Sequence, residues 1–539
     1  MAVKYRNPIL NGFYPDPSVC RAENNFYLVT STFAYFPGIP VFESRDLVNW
    51  KQIGNAIDRP GQICYDGHRI SQGLFAPTIR YNNGVFYILC TLIHTHGNFI
   101  ITAKQPQGPW SDPVWLEGAD GIDPSIFFDT DGKVYYTGTH PAPEGEAYPG
   151  NYEIYIREMD LSLLSKGKNP LIGSNIGIWR TALCNAVWPE GPHIYKTGVF
   201  YYLIYAEGGT GIDHAVCAAR AKDIRGPWEG KKSNPVLTHR HLGRNANIIN
   251  TGHADLIEDS EGNWRMVLLA SRPFDGVCPL GRETFLVPVF WENAWPFVAT
   301  NSGLIEEEID VRGNSLQEAH DVTRTSENIS NHESACDHFN EKLPLHWLTI
   351  RMPVKEEDIA FSLKDRSGAL RLFTKPQTMR SKGHPSFVGR RIRHKNWAFS
   401  CLMEFSPNTE NENAGIVLFQ NEDWHYRLQI GMGSEKREVL RLVKAAGKDD
   451  EIIKSQEINL QNARQIVLAA ICKEMKLSFF YGKDQYSLDL FADKNDARIL
   501  STEYAGGFVG SLAGVFATGN GKDTKNHADV FWAEYRRLQ

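Results

Sequence analysis

Over roughly the first 300 residues, apolar positions alternate with polar ones in short runs, and the runs come in pairs joined by turn-forming residues. That period of two, broken by Gly, Asn and Asp, predicts antiparallel hairpins. Five of the pairs open on a similar phrase: a small or acidic residue, usually followed by proline, then an apolar run, a turn and an aromatic second run. The phrases begin at Asp16-Pro17-Ser18-Val19, Ala76-Pro77-Thr78-Ile79, Asp123-Pro124-Ser125-Ile126, Gly191-Pro192-His193-Ile194 and His253-Ala254-Asp255-Leu256. Asn24-Asn25, Asn82-Asn83-Gly84 and Thr197-Gly198 are among the turns between the runs, each suited to a tight hairpin. Successive openings lie about 47 to 68 residues apart, the size of a four-stranded propeller blade with insertions. The pattern predicts five blades around a central channel.

The repeat stops near Val298. Residues 304–335 are polar and acidic, with Glu306-Glu307-Glu308 and Ser326-Glu327-Asn328, and read as a linker or wrap-around segment. Asn328-Ile329-Ser330 has the form of a glycosylation acceptor and is read as a chance match. Beyond it, alternating runs return without helical periodicity, at Ala369 to Phe373, Trp397 to Phe405, Gly415 to Phe419, His425 to Ile430, Val439 to Val443, Ile466 to Ile471 and Leu477 to Tyr481. They predict a β-sandwich. The chain therefore reads as all-β: a propeller over 1–303, a connecting segment over 304–335 and a sandwich over 336–539. One sandwich segment, Gly506-Gly507-Phe508-Val509-Gly510, sets a single aromatic between glycines, as a loop tip projecting a ring would.

Composition narrows the classes. The chain has 539 residues, of which 42% are hydrophobic, ample for packed cores in two or three domains. A net charge of −6 is spread along the chain with no basic stripe, so nucleic acid is not an expected partner. No apolar run reaches the roughly 18 residues that span a bilayer, and no membrane partner is expected. Nine widely spaced cysteines, an odd number in mostly apolar surroundings, read as buried free thiols. With no apolar signal segment in Met1 to Pro8, a cytoplasmic location is expected, or a periplasmic one if a signal peptide had been removed. Self-association into a homo-oligomer is left open.

Propeller geometry turns the phrases into chemistry. The first strand of each blade lies nearest the axis, so residues at its start converge at one channel mouth. Asp16, Asp123 and Glu190 all take that place. Three acids in one cavity repel one another and lose solvent, which separates their pKa values and lets one stay protonated while another is ionised. Glycosidic bond hydrolysis requires such a pair.

The phrases Tyr14-Pro15-Asp16-Pro17-Ser18, Ile122-Asp123-Pro124-Ser125 and Trp188-Pro189-Glu190-Gly191-Pro192, with Leu280-Gly281-Arg282-Glu283-Thr284, resemble the site segments of glycoside hydrolase family 43. The resemblance extends over the whole chain, since two-domain members of that family, mostly β-D-xylosidases and α-L-arabinofuranosidases, carry a C-terminal sandwich whose loop closes the pocket. It implies an inverting, exo-acting hydrolase of pentose-containing oligosaccharides. Asp16 would be the general base, Glu190 the general acid, and Asp123 the residue that orients Glu190 and holds its pKa up. Arg282, Phe33, Phe75, His253 and Phe508 would bind the sugar. Phe75 departs from many relatives, which have Trp there, and this leaves arabinofuranoside versus xyloside preference open. No cofactor is required; by similarity to some relatives, His253 could instead contact a structural calcium through water. The other readings are a retaining β-fructosidase, whose first acid lies in an Asn-Asp-Pro-Asn phrase absent here, and a non-catalytic, lectin-like propeller.

Overall fold

The computed structural model describes residues 4–180, 187–259, 261–300, 302–310, 335–351, 353, 355, 358–458 and 465–539. Five antiparallel sheets of strands consecutive in sequence form blades I to V, and their inner strands are Ser18–Ala22, Thr78–Asn82, Ile122–Phe128, Glu190–Thr197 and Ile249–Glu258. Each inner strand carries one of the five repeated phrases. Turn residues close each hairpin, so a short sequence repeat suffices to set the blade. Neighbouring inner strands pack on one another around the axis. The ring closes where the N-terminal segment runs along blade V, with Ile9 N–H donating to Thr284 O at 2.9 Å and Tyr14 N–H to Arg282 O at 3.1 Å.

The inner strands are not smooth. Register shifts interrupt blade III between Ile122 and Ser125, blade IV between Glu190 and His193, and blade V twice between Ile249 and Asp255. Blade V therefore begins four residues before His253, earlier than the phrase suggested. Asp16, Asp123 and His253 take left-handed backbone angles, with φ of 54°, 55° and 49°, and Gly191 takes 56° at the equivalent place. Such bulges re-aim a side chain at a cost of about 1–3 kcal/mol per strained residue, and they cluster where function needs them.

Directly beneath these bulges, one ionic network joins all five blades. Arg80 of blade II donates to Asp255 of blade V at 2.7 and 3.0 Å and contacts His193 Nδ1 of blade IV at 3.0 Å. Ser18 of blade I donates to Asp255 at 2.7 Å, and Ser125 of blade III reaches His193 Nδ1 at 3.2 Å. Tyr195 also donates to Asp255. Burial alone would raise the Asp255 carboxyl, but Arg80 and the other donors hold it far below its ordinary value. Burial drives His193 down to about 3, so it is neutral.

Past the propeller, residues Glu308–Asp310 of the expected linker form a strand on Lys4–Arg6. Residues 311–334, including Asn328-Ile329-Ser330, lie outside the described residues, as does Cys184. Among the described cysteines all are free thiols, six of them buried and Cys64 and Cys336 exposed. The second unit is a sandwich of two eight-stranded sheets. All seven runs read from the sequence are strands, and the additional ones include Ser386–Arg391, Asp450–Glu457, Ser487–Asp496, Leu512–Thr518 and His527–Arg537. One sheet takes its last strand from the propeller: Tyr35 and Phe36 of blade I pair with Ile350 and Thr349. The seam also holds Arg351, 2% exposed, which donates to Glu422 and, at 2.7 Å, to His68 O.

Replacing Arg80 by Met should leave the Asp255 carboxylate buried without its cation. Breaking a buried pair in this way costs about 3–5 kcal/mol, so the Arg80→Met variant should unfold at markedly lower denaturant than the parent. An unchanged midpoint would show that the five blades do not depend on this pair.

Candidate active site

The eight side chains singled out by sequence all border one cavity of about 120 Å³ at the channel mouth, and Ala76, Ile122 and Thr210 complete its lining. This is well below the roughly 300–1,000 Å³ of a site for drug-sized ligands. It suits a single sugar ring.

The three acids are held differently. Asp16 accepts from Ser31 Oγ at 2.5 Å and from Arg282 Nη1 at 3.1 Å. Burial would raise its pKa, but Arg282, His253 and the Ser31 hydroxyl together bring it below the ordinary carboxyl value. Asp123 accepts the Gly191 N–H at 2.9 Å, a bond made possible by the bulge that follows Glu190. Burial raises Asp123, and the Asp16 charge adds to that rise against the opposing pull of His253. Glu190 is pushed well above the usual carboxyl range by burial and then by the charges of Asp123 and Asp16. At neutral pH the geometry therefore favours an ionised Asp16 beside a protonated Glu190. This is an acid and a base on one site.

The wall opposite the acids is aromatic. Phe33 and Phe508 stack with centroids 5.9 Å apart, and Phe75 meets their edges at 5.4 and 5.9 Å. Phe508 comes from the sandwich, half-buried at the tip of its glycine loop. Its N–H donates to Ser71 Oγ at 3.0 Å, and a Cβ on Gly507 would stand 2.3 Å from that same oxygen. Arg282 ties the two domains, since Nη2 donates to Phe508 O at 3.4 Å while Nη1 holds Asp16. Behind His253, burial drives His214 down to about 3, so a neutral imidazole backs the pocket.

Sequence reading missed Ser31, Ala76, Ile122, Thr210 and His214. Ala76 and Ile122 flank quoted phrase positions, so proximity to the motifs was a usable signal. Ser31 and Thr210 are loop hydroxyls with no pattern around them, and His214 is one of seventeen histidines with no motif.

Calcium takes about six to eight oxygen ligands. The groups around His253 are the His214 imidazole and the Arg282 guanidinium together with the carboxyls of Asp16 and Asp123. Among the described residues no group of three or more His, Cys, Asp or Glu could hold a metal.

A five-bladed propeller with two oppositely tuned carboxyls in a sugar-sized pocket defines a glycoside hydrolase. The chain belongs to glycosyl hydrolase family 43: the family model matches residues 5–296, and a beta xylosidase C-terminal concanavalin A-like domain matches 336–536. Hydrolysis in this family inverts the anomeric carbon. The chain is 42% identical to a xylosidase/arabinosidase of Butyrivibrio fibrisolvens, over 97% of each chain. It is 36% identical to a non-reducing end alpha-L-arabinofuranosidase of Bacteroides ovatus, over 99% of this chain and 95% of that protein. The crystal structure of a xylan beta-1,4-xylosidase from Bacillus halodurans superposes with a TM-score of 0.87 at 28% identity, covering 99% of this chain and 100% of the other.

Two outcomes follow from the geometry. Asp123→Asn removes a charge that raises Glu190, so Glu190 should lose its proton at lower pH. The alkaline limb of the kcat/KM profile should move down by roughly 1 pH unit; an unmoved limb would reduce Asp123 to a backbone anchor. Phe508→Ala should lower kcat/KM about 5- to 150-fold, equivalent to roughly 1–3 kcal/mol of lost aromatic contact, while thermal unfolding stays near that of the parent. Parental kinetics in that variant would make the sandwich a brace only.

Proposed function

We propose that the enzyme releases a terminal pentose, α-L-arabinofuranose or β-D-xylose, from the non-reducing end of hemicellulose-derived oligosaccharides. The observation that carries this reading is the split between a lowered Asp16 and a raised Glu190 inside a cavity sized for one sugar ring. The relatives named for xylosidase and arabinofuranosidase activity supply the pentose class.

In the mechanism, Asp16 takes a proton from a water on one face of the sugar while Glu190 gives its proton to the departing oxygen on the other. The bond to the leaving sugar breaks as the water oxygen bonds to the anomeric carbon, through an oxocarbenium-like transition state. Arg282, placed between Asp16 and Phe508, holds the base ionised and offers its remaining N–H groups to sugar hydroxyls. Asp123 keeps Glu190 protonated by its charge and fixes the Gly191 backbone beside it. Two carboxyls and a water suffice, so the chemistry draws on no cofactor. The free thiols support a reducing, cytoplasmic setting in which short oligosaccharides are the substrate.

Acid and base are separable by leaving group. Glu190→Ala should slow oligosaccharide hydrolysis by roughly 10²- to 10⁴-fold but spare nitrophenyl pentosides, whose phenol needs little protonation. Asp16→Ala should slow both alike. Equal losses on both substrates in the Glu190 variant would remove Glu190 from the acid role, and a parent inert on nitrophenyl xyloside and arabinofuranoside would overturn the pentosidase reading.

A further inference from the structure

Trp188 stands two residues before Glu190 and is 39% exposed. The chain has thirteen tryptophans, all among the described residues, and the other twelve are buried or half-buried. An exposed indole forfeits the burial that usually places Trp in a core. Its backbone is also strained, with φ at 49°, in a region that bulky residues avoid. Neither cost is relieved by a core contact, so a reason must lie outside the fold's own packing.

The surroundings are built to present the ring. Trp188 N–H donates to Gly150 O at 2.8 Å, and Gly208 N–H donates to Val187 O at 2.9 Å, so loops of blades III and IV grip the segment from both sides. Two glycines bracket the indole. A Cβ on Gly150 would stand 2.9 Å from Nε1 and Cε2, and one on Gly209 would stand 2.8 and 3.0 Å from Cε3 and Cζ3, the opposite edge. Any larger residue at either place would displace the ring. Gly150 and Gly209 have φ of 83° and 68°, which suits glycine in any case. The edges are thus held by backbone while the ring remains open to solvent.

The position is specific. Gly209 adjoins Thr210, which lines the sugar cavity together with Glu190. Trp188 itself is not part of that lining. It sits on the rim, two residues before Glu190, and Tyr152 is close enough to feel the Glu190 charge. A glycosidic oxygen protonated by Glu190 must lie between the cavity and this rim, so the sugar that leaves passes over it.

We propose that Trp188 is the platform for the leaving sugar: the apolar C–H face of the ring next to the cleaved bond rests on the indole, while the terminal pentose fills the cavity behind. The ligand class is a pyranose or furanose within an oligosaccharide chain. This rests on the reading of Glu190 as acid. It explains why an aromatic precedes the acid in the Trp188-Pro189-Glu190 phrase and why glycines stand at 150 and 209. Trp188 is a specificity-determining residue, touching substrate without taking part in proton transfer.

The test compares occupancy of the rim with occupancy of the cavity. The parent, Trp188→Ala and Trp188→Phe are assayed with pentose di- and trisaccharides, and inhibition by the free pentose, which fills only the cavity, is measured in each. For Trp188→Ala, kcat/KM on the oligosaccharides should fall roughly 5- to 20-fold, mainly through KM, with the inhibition constant of the free pentose within about twofold of the parent. Trp188→Phe should recover most of the loss, since a smaller aromatic face remains. Equal weakening of oligosaccharide and free pentose would make Trp188 a prop for the cavity and overturn the platform. So would unchanged kcat/KM in the alanine variant, or a phenylalanine variant no better than alanine. A parent that releases no pentose would instead bring down the functional reading on which the platform rests.

Discussion

The buried pair of Arg80 and Asp255 is the constraint on which the rest depends. A propeller blade is held to its neighbours mainly by side-chain packing, and the axis is where packing is poorest because five strands diverge from it. Here a guanidinium fills that axis and its donors are shared out: Asp255 from blade V, His193 from blade IV, with Ser18 and Ser125 completing the ring. Charges taken out of water are costly unless every lone pair and proton is satisfied. Asp255 meets that condition with bonds from Arg80, Ser18, Tyr195 and the Val19 N–H.

The repeated phrase encodes two layers at once. Its first residue, in a left-handed backbone conformation in blades I, III and V, lines the sugar cavity as Asp16, Asp123 and His253. Its third residue, Ser18, Ser125, His193 or Asp255, belongs to the axial network below. The cavity and axial layers are therefore two residues apart within these phrases, and their positions are locked together. The bulge lets both point inward where a regular strand of alternating faces would also allow it, but with an altered aim that brings acids of different blades into one electrostatic field.

The layer lining the cavity is legible in the sequence because it recurs at equivalent places and carries unusual residue types. The axial layer is not. Arg80 lies inside an ordinary-looking strand, and only the closure of the ring brings it to Asp255, 175 positions away. In the sandwich, strands with alternating apolar runs were readable, whereas Asp450–Glu457 is exposed along its whole length and has no apolar face to betray it. Ser386–Arg391 fails for the opposite reason: it is buried throughout although it ends in two arginines. Arg390 reaches Asp337 at 3.4 Å and Arg391 donates to Phe13 O at 2.7 Å, partners that local pattern cannot reveal. The Phe508 loop was legible from its glycines: Gly506 and Gly507 take left-handed angles, and a Cβ on Gly510 would stand 2.3 Å from Leu280 O in the propeller.

That approach makes the second domain part of the site's electrostatics as well as its wall. Arg282 is bound at once to the carboxylate of Asp16 and to the carbonyl of Phe508, and its guanidinium lies 5.5 and 5.9 Å from the Phe508 and Phe33 ring centroids. Docking of the sandwich loop thus positions the cation that keeps Asp16 ionised. The aromatic rings simultaneously exclude water, which strengthens the field between Asp16, Asp123 and Glu190 and so widens the gap between base and acid. A propeller lacking this loop would keep all three carboxyls, but in a wetter pocket the Coulomb interactions that set them apart would weaken. The splitting of the Asp16 and Glu190 carboxyls is therefore a property of the joined domains, and the Arg351–Glu422 pair helps hold the seam that brings them together.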